Sequence, residues 1–107
     1  MRKSTGMSGV KIGVWLLADQ PARTVAARAR LAESVGLDFV GITDGQMIWR
    51  DVWVCLTAAG LATERVMLGP WVTHPITRHP TATASARCTL DELPGGPAFL
   101  GIAAGDD

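Results

Sequence analysis

A chain of 107 residues has room for one domain with a buried core. Its 48% hydrophobic and 19% charged content excludes a disordered chain, which lacks the apolar surface needed to offset conformational entropy. Ten basic side chains balance ten acidic ones, so no positive field collects nucleic acid or anionic membrane, and neither is expected as a partner.

Residues 1–9, MRKSTGMSG, are polar and glycine-containing; they are expected to form a flexible tail ahead of a domain over residues 10–107, and Met7 offers a second translation start. The tail has no apolar stretch of the length a secretory signal needs, and later apolar runs are broken by charges or glycine, so a cytoplasmic protein is expected. Val10–Leu16 alternates and is β-branched at Val10, Ile12 and Val14, which predicts a first strand. Pro21 suits the first turn of a helix, with Asp19 or Gln20 as its cap, and the helix runs to Val35 before Gly36. Val25, Ala29, Ala32 and Val35 form its buried stripe, opposite a solvated face of Arg23, Arg30 and Glu33.

Leu37–Thr43 is short, apolar and bounded by Gly36 and Asp44-Gly45, a second strand. A second helix is predicted from Asp51 to Ala62. Arg65–Gly69 starts a third strand that continues through Pro70-Trp71-Val72-Thr73. Thr81–Leu90 is a third helix with Pro80 near its start, and Ala98–Ile102 a fourth strand. Cys55 and Cys88 have no Cys or His at ligand spacing; both read as small buried hydrophobes, not as a disulfide or a metal site.

Strand and helix alternate with no hairpin signal, so the class is α/β with parallel strands. An arc of a barrel and an open doubly wound sheet use the same βα unit, and periodicity does not separate them. In both, ligands bind beyond the carboxyl ends of the strands. Those positions hold Asp44, Gly45, Gln46 and Trp49; Thr73, His74, Thr77, Arg78 and His79; and Gly105, Asp106 and Asp107. Each has a plainer reading. Asp44 before Gly45 shapes a turn, Trp49 and Trp53 are an apolar pair four apart on one helix, and Arg78 is a surface charge at a helix start. His74 and His79 are five apart, which does not put two ligands on one helical face, so no metal is expected. No strand-GxGxxG-helix fingerprint supports a Rossmann site.

The string from Leu68 to Pro80, LGPWVTHPITRHP, resembles the signature after strand three of the luciferase-like monooxygenase family. The likeness is to the deazaflavin-dependent branch that contains methylene-tetrahydromethanopterin reductases. It extends through Thr83–Ala86, Thr89–Leu93, Gly95-Gly96, Leu100–Ile102 and Gly105-Asp106, and back to Asp44 with Trp49-Arg50-Asp51. The resemblance implies a partial (β/α)8 TIM barrel, its N-terminal part, with about four parallel strands and three helices. It implies an oxidoreductase that transfers hydride between the reduced deazaflavin coenzyme F-420 and a small-molecule substrate. The alternatives are an FMN-using flavin-dependent monooxygenase and an inactive partial barrel that serves as an association module.

By the same resemblance, Asp44, Trp49 and Asp106 are the catalytic candidates, with Asp44 and Trp49 approaching ring and substrate. Thr73 contacts the ring, and a bulge with a non-prolyl cis peptide within Gly69–Val72 sets Pro70 and Trp71 behind it. The chain departs from the family pattern at Trp71, where relatives usually carry a small residue, commonly glycine, at Gly45, where they more often have Ser or His, and at Pro97, which replaces a usual Arg-like residue. A partial barrel leaves two sheet edges open, so self-association or a homo-oligomer is expected.

Overall fold

The computed structural model describes residues 9–45, 48–73 and 78–101. Its elements alternate as β1 (Gly13–Leu16), α1 (Ala22–Ser34), β2 (Phe39–Ile42), α2 (Val52–Ala62), β3 (Met67–Pro70) and α3 (Pro80–Leu90). The strands form one sheet in the order β1-β2-β3, and both pairings are parallel. Gly13, Phe39 and Met67 share one row across the sheet, and Leu16, Ile42 and Pro70 share another. Among the described residues the fold is therefore α/β with three strands and three helices, as the alternation of the sequence requires.

The expected fourth strand is present only as a partial pairing. Ala98 makes an isolated parallel bridge to Leu68, and the backbone N–H groups of Phe99 and Gly101 donate to Leu68 (2.9 Å) and Pro70 (3.2 Å). Ile102 lies outside the described residues. β1 starts at Gly13 and not at Val10 because a side chain takes over the ladder there. Asp38 Oδ2 accepts from Ile12 N (2.9 Å), and Asp38 N donates to the Ile12 carbonyl (2.6 Å).

α1 also departs from expectation at both ends. Pro21 itself occupies the cap position without a side-chain bond, while Asp19 pairs with Arg28 at 3.1 Å. The buried stripe is Val25, Ala26, Ala29 and Ala32; Val35 is exposed because the helix stops at Ser34 and the chain turns through Gly36 at φ 93°. A positive φ of this size suits glycine, which has no Cβ to clash.

Glu33 does not belong to a solvated face. Its Oε2 accepts from the backbone N–H groups of Glu64 (3.0 Å), Arg65 (2.6 Å) and Val66 (2.8 Å). Arg65 Nη2 returns a bond to the Glu33 carbonyl at 2.8 Å. Partial burial works to raise the Glu33 pKa, but the N–H groups of Arg65, Val66 and Glu64 and the Arg65 charge outweigh it and hold it below the ordinary carboxylate value. The clamp fixes the approach of the chain to β3.

α2 is apolar on nearly every side and sits in the middle of the core, with Val52, Cys55, Leu56, Ala59 and Gly60 buried. Asp51 caps it by accepting from Val54 N at 3.0 Å. Gly60 allows α3 and its following turn to close in, since a Cβ there would come within 2.7 Å of Leu93. Cys55 is buried as expected, but Cys88 on α3 is exposed, contrary to its reading as a core residue. α3 begins with Pro80 behind a His79 cap whose Nδ1 accepts from Thr81 N at 3.1 Å.

The two faces of the sheet differ. Val14, Leu16, Val40, Ile42 and Leu68 belong to or pack on the core with α1 and α2. Each fully buried Ile, Leu or Val contributes about 1.5–3 kcal/mol. Residues of the opposite parity, with Phe39, Met67 and Phe99 among them, form the other face and line a cavity of about 270 Å³ with Lys11 and Trp71. Among the described residues no helix is long and apolar enough to cross a membrane.

Candidate functional site

The site forms where β2 and β3 end. Thr43, buried directly after β2, accepts from Ala18 N at 2.9 Å and ties the loop after β1 to the loop after β2. The next residue, Asp44, has a side chain only 3% exposed. Its Oδ2 accepts from the Thr73 hydroxyl at 2.6 Å and from Arg78 Nη1 at 2.7 Å. A buried carboxylate is tolerated when charge-assisted donors replace water, and here two donors converge on one oxygen. Arg78 is 20% exposed, and its second nitrogen reaches Asp51 Oδ1 at 3.0 Å. Asp51 in turn uses Oδ2 to cap α2. Two residues between β2 and α2, Asp44 and Asp51, and two between β3 and α3, Thr73 and Arg78, thus form one chain of charge and hydrogen bonds.

Thr73 is itself buried and its backbone N–H donates to the Gly101 carbonyl at 2.7 Å. Its hydroxyl hydrogen is directed to Asp44, so the same oxygen meets any further polar group as an acceptor. The peptide bond between Trp71 and Val72 is cis, within the stretch where the family resemblance implies one. Trp71 N donates to the Ile42 carbonyl at 2.8 Å, and its carbonyl accepts from Trp15 Nε1 at 2.7 Å.

The indole of Trp71 turns down the sheet. A Cβ on Gly41 would meet Trp71 Cβ at 2.7 Å, the ring stands edge-on to Phe99 at 6.2 Å between centroids, and it borders the cavity with Lys11, Phe39 and Met67. Those partners lie towards the amino ends of the strands, so the ring does not project over Asp44. Pro70, buried, ends β3 and accepts from Gly101 N through its carbonyl at 3.2 Å. Gly45 has a packing reason as well: a Cβ there would come within 2.7 Å of Trp49 Cδ1.

The structure therefore joins Asp44 to Thr73, with Pro70 and Trp71 just ahead of Thr73 in the chain, and packs Trp49, half-buried, against Gly45 and the core. Trp53, in the first turn of α2, packs on the same core, but Trp49 lies ahead of the Asp51 cap and outside the helix, so the two tryptophans are not the one-helix pair that their spacing suggested. Asp106, Gln46, His74 and Thr77 lie outside the described residues. Arg78 is not the surface charge that its place before a helix suggested; it is the link between two aspartates. The available signal was the presence of Asp44 and Asp51 on one loop facing a single basic residue on the next. Burial, with a smaller push from Asp51 that Arg50 opposes, raises the Cys55 thiol above its ordinary pKa and so favours the protonated form. Among the described residues no group of His, Cys, Asp or Glu is arranged to hold a metal.

The family model for luciferase-like monooxygenases matches residues 5–107. The chain is 38% identical over 100 residues to 5,10-methylenetetrahydromethanopterin reductase of Methanopyrus kandleri, covering 94% of this chain and 28% of that protein. It is 40% identical over 97 residues to the reductase of the same name from Archaeoglobus fulgidus, covering 91% of this chain and 29% of the other. The solved structure of the coenzyme F-420 dependent tetrahydromethanopterin reductase from Methanopyrus kandleri superposes with a TM-score of 0.85 at 37% identity, over 91% of this chain and 28% of that one. The chain thus spans less than a third of the length of these relatives. With the match running over nearly its whole length, the chain belongs to the luciferase-like monooxygenase family.

Proposed function

We propose that the chain supplies the opening strands of a (β/α)8 barrel whose activity is that of an oxidoreductase dependent on coenzyme F-420. The reaction is hydride transfer between the reduced deazaflavin and a small organic substrate. The observation that carries this reading is the convergence of Asp44, Thr73 and Arg78 at the carboxyl ends of β2 and β3, beside the Trp71–Val72 peptide. Parallel α/β folds place their chemistry at this end. A carboxylate, a hydroxyl acceptor and the backbone at the strand ends suit a planar ring with polar edges, and the Trp71 indole, turned towards Gly41 and Phe99, is directed away from Asp44.

When bound, the coenzyme would supply the hydride; its ring carries carbon where a flavin carries a reactive nitrogen, which favours hydride transfer over oxygenation. With the coenzyme bound, Asp44 would be the group to take up the proton that the ring loses as it gives up hydride, Thr73 would orient that carboxylate, and the Pro70-Trp71-Val72 backbone would help to hold the ring. We place the protein in the cytoplasm, where its free Cys55 and Cys88 persist as thiols. The test is titration of the chain with deazaflavin coenzyme and, separately, FMN, followed by ring fluorescence. Saturable deazaflavin binding that weakens in Asp44→Ala supports the reading; preference for FMN transfers it to the monooxygenase alternative, and binding to neither overturns a ring site in these strands.

A second reading, self-association of the chain when it stands alone, is favoured by the edge strand β1. Trp15 on it, and Val10 and Ile12 in the segment leading into it, are about half exposed, at 58%, 49% and 52%. A monodisperse monomer in light scattering would sink it.

A further inference from the structure

The Asp44 carboxylate could be held by any nearby cation, yet the contacts around it are more demanding than neutralisation. Arg78 presents Nη1 to Asp44 at 2.7 Å and Nη2 to Asp51 at 3.0 Å, so the two nitrogens of one rigid fork engage two carboxylates at once. Asp51 is not free to follow: its other oxygen accepts from Val54 N at 3.0 Å and caps α2. The exposure of the three side chains rises along the series, from 3% at Asp44 through 20% at Arg78 to 50% at Asp51. The inner carboxylate is thereby anchored to a helix terminus through a guanidinium that is itself fixed at both ends.

We infer that Arg78 is a positioning residue, whose fork ties the direction of the Asp44 carboxylate to the capped start of α2. This goes beyond the coenzyme reading and rests on it only for the functional consequence. A guanidinium is planar and presents its donors in fixed directions, whereas a lysine ammonium is a single nitrogen on a flexible stem. Lysine in place of Arg78 therefore keeps the charge beside Asp44 and loses the bridge. If Arg78 served only to neutralise Asp44 or to hold the fold, lysine would restore what methionine removes.

The first arm of the test needs no coenzyme. In the full chain with 15N-labelled arginine, the Nη–H groups of Arg78 are expected as separate, slowly exchanging NMR signals, while those of the exposed arginines are averaged. Asp51→Ser keeps a capping oxygen for Val54 but removes the outer carboxylate, and it is expected to average the Nη2 signals without altering the backbone spectrum. Wild-type Arg78 signals averaged like the rest, or signals unchanged by Asp51→Ser, would overturn the bridge. The second arm is the deazaflavin titration. Arg78→Lys is expected to bind about tenfold more weakly than wild type, close to Arg78→Met, with Asp51→Ser about threefold weaker. Full affinity in Arg78→Lys with loss in Arg78→Met would reduce the residue to a simple counter-charge. Failure of the wild type to bind would count against the coenzyme reading alone, and the arginine signals would still decide the role of Arg78.

Discussion

Glu33 and Asp44 are carboxylates at opposite ends of one sheet, and the protein secures them by different means. At the amino end, Glu33 accepts three consecutive backbone N–H groups, those of Glu64, Arg65 and Val66. At the carboxyl end, the donors to Asp44 among the described residues are side chains, those of Thr73 and Arg78. Backbone donors are part of the fold itself, so a carboxylate bound to them stabilises the chain's path and is not available for anything else. Side-chain donors can be exchanged for a ligand's atoms without unpairing the backbone. The contrast separates a residue that shapes the fold from one that can take part in chemistry.

The largest effect expected from this contrast is on stability, in Glu33→Ala. Three backbone donors lose a charged acceptor, partly replaced by water because most of them are exposed, and urea unfolding should show a loss of about 2–3 kcal/mol. Deazaflavin binding should be unchanged at temperatures where the variant is folded, whereas Asp44→Ala is expected to weaken binding. A Glu33→Ala variant as stable as wild type would break the comparison, because the clamp would then be an incidental contact.

A smaller effect follows from protonation of the same group. The folded-state pKa of Glu33 is lowered, with burial opposed and outweighed by the N–H groups of Arg65, Val66 and Glu64. A depressed carboxylate pKa gives stability that is fully present above the unfolded value, near 4.5, and is lost as pH falls through the folded value. The difference in unfolding free energy between wild type and Glu33→Gln should therefore be constant from neutral pH down to about 5 and shrink below it. A difference that stays constant to pH 3 would show that Glu33 is not ionised differently in the folded chain.

The sequence carried the alternation of elements clearly, because β-branched runs, glycine stops and the Asp51 cap are local signals, and each produced the element it predicts within a few residues. It misjudged what depends on distant contacts. Val10–Ile12 reads as strand, but the Asp38 side chain displaces the ladder there. Glu33 and Arg78 both sit on helical or pre-helical positions where charge ordinarily means solvent, and their partners lie more than 25 residues away in sequence. No periodicity encodes such pairings. Asp44 and Thr73 were legible because a parallel α/β fold identifies the strand ends before any contact is known. Gly45 and Trp71 stand out in the sequence as departures from the relatives; in the fold, Gly45 makes way for Trp49, and Trp71 fills the space over Gly41.

The smallest effect belongs to a third carboxylate, which marks the lower end of the series. Asp19 pairs with Arg28 at 3.1 Å, as short as several contacts described above, yet both side chains are about 40% exposed, at 40% and 42%. Exposed pairs gain little because water screens the attraction and two long side chains must be held in one geometry. Arg28→Ala should therefore change the unfolding free energy by less than about 0.5 kcal/mol, and 1 M salt should leave that difference almost unmoved. A larger loss would mean that Asp19 holds the loop after β1 in place, which would bear on the site: the next residue but one upstream is Leu17, and between them Ala18 N donates to Thr43 beside Asp44. In that event distance, and not the kind of donor, would govern how much a carboxylate contributes here, and the distinction between Glu33 and Asp44 would have to rest on binding measurements alone.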